Sequence, residues 1–185
     1  MGCDINPLCA KLTYSDPRIK VIVGNINTEQ SFKLVKQLSD SFDLIIDDGS
    51  HLSPDIFLSF IHYFDLLAPG GLYIIEDAHT LFGNTHLGGL LNQTSAHNFF
   101  HLLADITNYQ FWQENLSIQN YLQTFFPEAN TPTFISNGWI DSVEFRNSII
   151  TIRKSLTPTH EKLGERLVKG TIADVHPNIL RHQVK

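Results

Sequence analysis

Two cysteines, Cys3 and Cys9, are all that the 185 residues contain, and their spacing is neither CxxC nor that of a disulfide-rich scaffold. A structure stapled by sulfur is excluded, and a reducing cytoplasm is the expected setting, with both thiols serving as small hydrophobes. Cations are scarce too. Thirteen Lys and Arg against 19 acidic residues give a net charge of -6, without any basic run. Neither a nucleic acid nor a membrane surface is therefore the expected partner, which leaves small molecules and other proteins. The sequence shows no signal-peptide pattern, no apolar stretch long enough to cross a bilayer, no internal repeat and no low-complexity tract. A hydrophobic share of 42% is enough for one globular domain with a real core.

Apolar runs alternate with helical periodicity along the chain. "IKVIVGN" reads as a short buried strand, and the following "TEQSFKLVKQLSD" sets Phe32, Leu34, Val35 and Leu38 at helical spacing. "FDLIID" is a second strand. Ser53 is then expected to cap a helix with Pro54 and Asp55 in its first turn and Ile56, Phe57, Phe60, Ile61 and Phe64 as its core face, stopped by "APGG". "LYIIED" is a third strand, and "GCDINP" resembles the tail of an earlier one. Strands apolar on both faces, separated by helices, imply a parallel sheet covered on both sides. "AHNFFHLLADITNYQ" and "NYLQTFF" read as helices beyond the sheet. "GWIDSVEFRNSIITIRKS" reads as an antiparallel hairpin turning at Arg146 and Asn147. The division expected is one domain over residues 1–155 and a tail or linker over 156–185, with a weak helix in "EKLGERLV".

Two of the strands end in acid pairs. "FDLIIDDGSH" closes on Asp47, Asp48 and His51, and "GGLYIIEDAH" on Glu76, Asp77 and His79. In an open parallel sheet the carboxyl ends of neighbouring strands meet at one rim, so the four carboxylates are expected to converge. Close carboxylates repel one another. A metal must neutralise them, or some are protonated, or they diverge toward different partners. Hard oxygen donors suit Mg²⁺, and no Cys/His set indicates structural zinc. His51, on the turn after Asp48, is placed to act as a general base. His79 and His86 on the next loop are either substrate contacts or solvated loop histidines.

"GCDINP", "VGNIN", "FDLIIDDGSH", "PGGLYIIEDAHT" and "SVEFRNSIITIRKS" together resemble the metal-dependent class I S-adenosylmethionine O-methyltransferases, especially those acting on macrolide sugars. The similarity runs over roughly residues 2–155. It implies a doubly wound, mostly parallel α/β sheet of the Rossmann-like methyltransferase type, with a C-terminal antiparallel hairpin. By the same resemblance Asp48, Glu76 and Asp77 hold Mg²⁺ and His51 is the base that activates a saccharide or glycoside hydroxyl. Asp4 is implied at the ribose hydroxyls of S-adenosylmethionine and Asn25 beside the adenine, where the family commonly has aspartate. Asp47 is a further cofactor-binding candidate through the turn.

The chain departs from the pattern in lacking the first strand and its glycine-rich turn. That strand belongs between the ones ending at Asp4 and at Asp48, so its absence is expected to leave two facing edges and an uncovered apolar slot. The reading favoured is the remainder of a longer methyltransferase. A strand supplied by a partner, self-association, and a non-catalytic metal- or partner-binding remnant remain open, as does a hydroxylase related to cephalosporin hydroxylase.

Overall fold

The computed structural model describes residues 1–127, 130–159 and 161–162. Six strands, β1 (Gly2–Asp4), β2 (Val21–Val23), β3 (Phe42–Asp47), β4 (Leu67–Ile75), β5 (Ile140–Arg146) and β6 (Ile149–Lys154), fall into two sheets among these residues. β1 pairs with β2 in parallel. β3 pairs with β4 in parallel, and β4 continues through antiparallel β6 to antiparallel β5. The α/β class and the C-terminal hairpin follow the sequence expectation. The two expected facing edges are present as well: among the described residues β1 and β3 do not pair with each other, and a hollow of about 370 Å³ lies between them. Leu44 and Ile46 of β3 line it and are 48% and 50% exposed, high for aliphatic residues of a strand with no polar alternation.

Among the described residues five α-helices accompany the strands: α1 (Glu29–Leu38), α2 (Ser53–Tyr63), α3 (Ala96–Ile106), α4 (Ile118–Phe125) and α5 (Thr133–Ser136). Thr28 caps α1 by accepting from the Ser31 amide. Only part of the α1 stripe is core, since Val35 is buried while Leu34 and Leu38 are 40% and 48% exposed. At α2 the expected cap is corrected. Leu52 occupies the N-cap, and the Ser53 hydroxyl, inside the first turn, accepts from the Ala96 amide at 2.8 Å, tying α2 to the start of α3. "APGG" does not stop α2 directly but lies within β4, after a 3-10 turn at Phe64–Leu66. The hairpin turns at Asn147 and Ser148, one residue later than expected, with Ser148 at φ +64°.

Phe60 organises the core. It is fully buried and meets the rings of Phe64, Tyr73, Phe99, Phe100 and Phe134 at centroid distances of 5.0–5.9 Å, mostly edge to face. The hairpin is anchored by buried Lys154, whose Nζ donates to the carbonyls of Asp65 (2.9 Å) and Leu67 (2.8 Å) at the start of β4. Past residue 155 the chain still packs on this unit: the Thr159 amide donates to the Gly138 carbonyl at 3.1 Å, and Lys162 Nζ donates to the carbonyls of Trp112 and Glu114. The stretch "EKLGERLV" lies mostly outside the described residues.

Phe60→Ala leaves a cavity that five rings cannot close. It is expected to cost about 3–5 kcal/mol, read from urea unfolding monitored by circular dichroism.

Candidate active site

The two acid pairs meet because β3 and β4 are parallel neighbours in register, Asp47 opposite Ile75, with the Glu76 amide donating to the Asp47 carbonyl at 3.0 Å. Each strand then turns sharply. His51 (φ +56°) and Asp77 (φ +49°) both take left-handed backbone, rare for residues other than glycine. The Thr80 hydroxyl lies 3.2 Å from the His51 carbonyl and 2.9 Å from that of Asp77, able to donate to either, and so fastens the two turns together. Strained backbone on adjacent turns at a strand-end rim is a common mark of a functional site.

His51 Nε2 stands 3.8 Å from both Asp48 Oδ1 and Asp77 Oδ2. The ligand atoms of Asp48, His51 and Asp77 all lie within 4.8 Å of one another. Both carboxylates are more than half exposed, whereas His51 is largely enclosed. Half-buried Glu76 is next in the chain but is not one of these three.

Asp47 has a different place, beneath the rim. Burial pushes its carboxyl above the usual range, opposed by hydrogen bonds from Ser59, the Gly49 amide (3.3 Å) and the Tyr73 hydroxyl (3.3 Å). Burial and the Asp47 charge push Tyr73 well above its ordinary value in turn.

A second hollow of about 360 Å³ runs from Asp4 and Asn25 to Asp47 and Asp48, so those four sequence candidates do share one cleft. Asp4 accepts from the Asn6 amide at 2.8 Å, and Asn25 from the Asn27 amide at 2.9 Å, both turning the chain just past β1 and β2. Sequence reasoning overlooked Asn27, which lines the same hollow, donates to the Asp55 carbonyl at 3.1 Å, and leaves its buried Oδ1 without a partner. The N-x-N spacing after a strand was the available signal. It also overlooked Ser148, which approaches His79 Nδ1 at 2.8 Å and accepts from the Ala78 amide, pinning the end of β4 to the hairpin. His86 contacts the adjacent Thr85 hydroxyl at 3.1 Å.

Two parallel strands thus present acids and a histidine at one rim, beside a cleft. The solved MycE methyltransferase from the mycinamycin biosynthetic pathway, in complexes with Mg and SAH, matches this chain with TM-scores of 0.63 and 0.69 in two crystal forms. Identity is 23% and 20%, over 83% and 98% of this chain, which establishes the fold.

Among characterised proteins, the 8-demethyl-8-alpha-L-rhamnosyl tetracenomycin-C 2'-O-methyltransferase of Streptomyces olivaceus is 34% identical over 38% of this chain and 18% of its own length. The mycinamicin VI 2''-O-methyltransferase of Micromonospora griseorubida is 38% identical over 35% of this chain and 16% of its own. Demethylmacrocin O-methyltransferase of Streptomyces fradiae is 37% identical over 44% and 20%. The matched stretches thus span a fifth or less of these relatives, and 36–41% of MycE. No protein-family model matches the chain.

The left-handed turn at His51 can be tested by paired substitutions. His51→Gly is expected to stay within about 1 kcal/mol of the parent, while His51→Val, forced into the same backbone, loses a further 1–2 kcal/mol or so in urea unfolding.

Proposed function

We propose that this chain is the metal-, base- and cofactor-bearing portion of an S-adenosylmethionine-dependent, Mg²⁺-dependent O-methyltransferase acting on a sugar or glycoside hydroxyl. The observation that carries this reading is the cluster of Asp48, His51 and Asp77 at the paired ends of β3 and β4, beside the Asp4–Asp47 cleft. It is supported by relatives whose names describe O-methylation of a rhamnosyl tetracenomycin and of mycinamicin VI.

The donor set fits the ion. Asp48 and Asp77 offer the hard oxygens that Mg²⁺ prefers, and their exposure leaves room for water and substrate, with Glu76, the third acid of the expected set, next to Asp77 in the chain. Mg²⁺, when bound, lowers the pKa of the acceptor hydroxyl and orients it. His51, held between the two carboxylates, receives the hydroxyl proton on Nε2, and the carboxylates stabilise the imidazolium that results. The cleft residues fix S-adenosylmethionine. Asp4 takes the ribose hydroxyls, Asn25 and Asn27 the neighbouring polar edge, and Asp47 braces the turn that carries Asp48. With S-adenosylmethionine bound there, the acceptor oxygen would take its methyl group as the carbon–sulfur bond breaks and S-adenosylhomocysteine leaves.

The split between the β1 and β3 sheets favours a second reading, a metal-binding protein that performs no transfer. Labelled methyl transfer from S-adenosylmethionine to a panel of glycosylated polyketides separates the two. Transfer is expected with Mg²⁺ and not with excess EDTA. Asp77→Asn and His51→Ala are each expected to lower it by about a hundredfold or more, the size of a lost positioned base or metal ligand. Metal binding without any transfer would favour the second reading, and oxidised product without methyl label would indicate a hydroxylase.

A further inference from the structure

Outside the group of Asp48, His51 and Asp77, α3 carries His97 and His101 one helical turn apart, so both rings leave the same face. Their Nε2 atoms lie 3.2 Å from each other. Phe145 of β5 stacks on His101 with ring centroids 4.2 Å apart and planes 9° apart, and Phe82 leans on His97 at 4.6 Å. These aromatic walls hold the two imidazoles facing each other before any ligand arrives. His97 is buried and His101 is exposed, leaving the pair open on one side. Burial, aided by the neighbouring His101, holds His97 below its ordinary pKa, which keeps its lone pair available at neutral pH.

We propose that His97 and His101 form a second cation site, selective for a nitrogen-preferring divalent ion such as Zn²⁺ and independent of the oxygen site at Asp48 and Asp77. Two nitrogens 3.2 Å apart, each about 2.0–2.1 Å from a shared ion, subtend an angle of about 100°, near the tetrahedral value. Histidines at i and i+4 on a helix are also the spacing that places two imidazoles on one metal. Between facing Nε2 atoms there is room for one bridging occupant, either a single shared proton or a metal. Two imidazolium N–H groups pointed at each other would repel. Among the described residues no third Cys, His, Asp or Glu joins the pair in a metal-sized group, so water completes the coordination. Nitrogen ligands then set the preference: zinc, nickel and copper bind in place of magnesium.

Zinc chloride titrated calorimetrically into the full chain, in excess Mg²⁺ to occupy the acid cluster, tests this. Wild type and Asp77→Asn are expected to bind one Zn²⁺ alike. His101→Ala is expected to bind more weakly by about a hundredfold or more, at or beyond the upper end of the loss typical of an outer metal partner. Imidazole proton signals of His97 and His101 should move together on zinc addition. His101→Phe, which preserves the stack on Phe145, supplies a second variant should the alanine form fail to fold. Absence of a zinc site in wild type, equal binding by the His101 variants, or loss of the site in Asp77→Asn would each overturn the proposal.

Discussion

Parallel pairing of β3 with β4 is the constraint on which the site depends. The pairing sets Asp47 opposite Ile75, and this one register brings the Asp48 turn against the Asp77 turn. A shift of one residue would turn one acid pair to the other face of the sheet and separate Asp48 from Asp77. The core exists to hold that register. Phe60 of α2 packs against Tyr73 of β4, and the Tyr73 hydroxyl reaches the Asp47 carboxylate, so the aromatic cluster extends to the underside of the rim. On the other flank β6 pairs with β4, and its Ser148 turn fastens Ala78 and His79.

Most of the strand and helix pattern was legible because apolar runs and helical stripes are local signals. β1, β2, β3, α1, α3, α4 and the hairpin lie close to where composition places them. What escaped was tertiary. Ser53 has the chemistry of a cap, yet its hydroxyl is used by the Ala96 amide, a partner 43 residues away that no local pattern reveals. The outward position of Leu34 and Leu38 depends on where the sheets stop, not on the periodicity of α1. At the site, carboxylate convergence was inferable from parallel strand ends. The left-handed backbone at His51 and Asp77 and the Thr80 tie were not, because neither left-handed position is itself a glycine, the residue that usually announces such backbone.

The division into two sheets has a direct chemical consequence. The cleft proposed to take the cofactor is bounded by Asp4 and Asn25 on the side of the small sheet and by Asp47 and Asp48 on the side of the large one, so both must be held in place together. Several links cross between them among the described residues. The Tyr63 hydroxyl donates to the Ile26 carbonyl at 2.7 Å, Asn27 donates to the Asp55 carbonyl, and Ile22 and Val35 join the common core. The hollow lined by Leu44 and Ile46 adjoins this cleft, and Asp4, Asp47 and Asp48 line both.

The central claim is that the cleft between the sheets binds S-adenosylmethionine next to a Mg²⁺ site. Titration calorimetry of S-adenosylmethionine into the 185-residue chain, with and without Mg²⁺, tests it most directly. The account predicts saturable one-to-one binding that Asp4→Ala weakens and that survives removal of Mg²⁺, because the cofactor residues and the metal residues are different groups. No binding under either condition would contradict it.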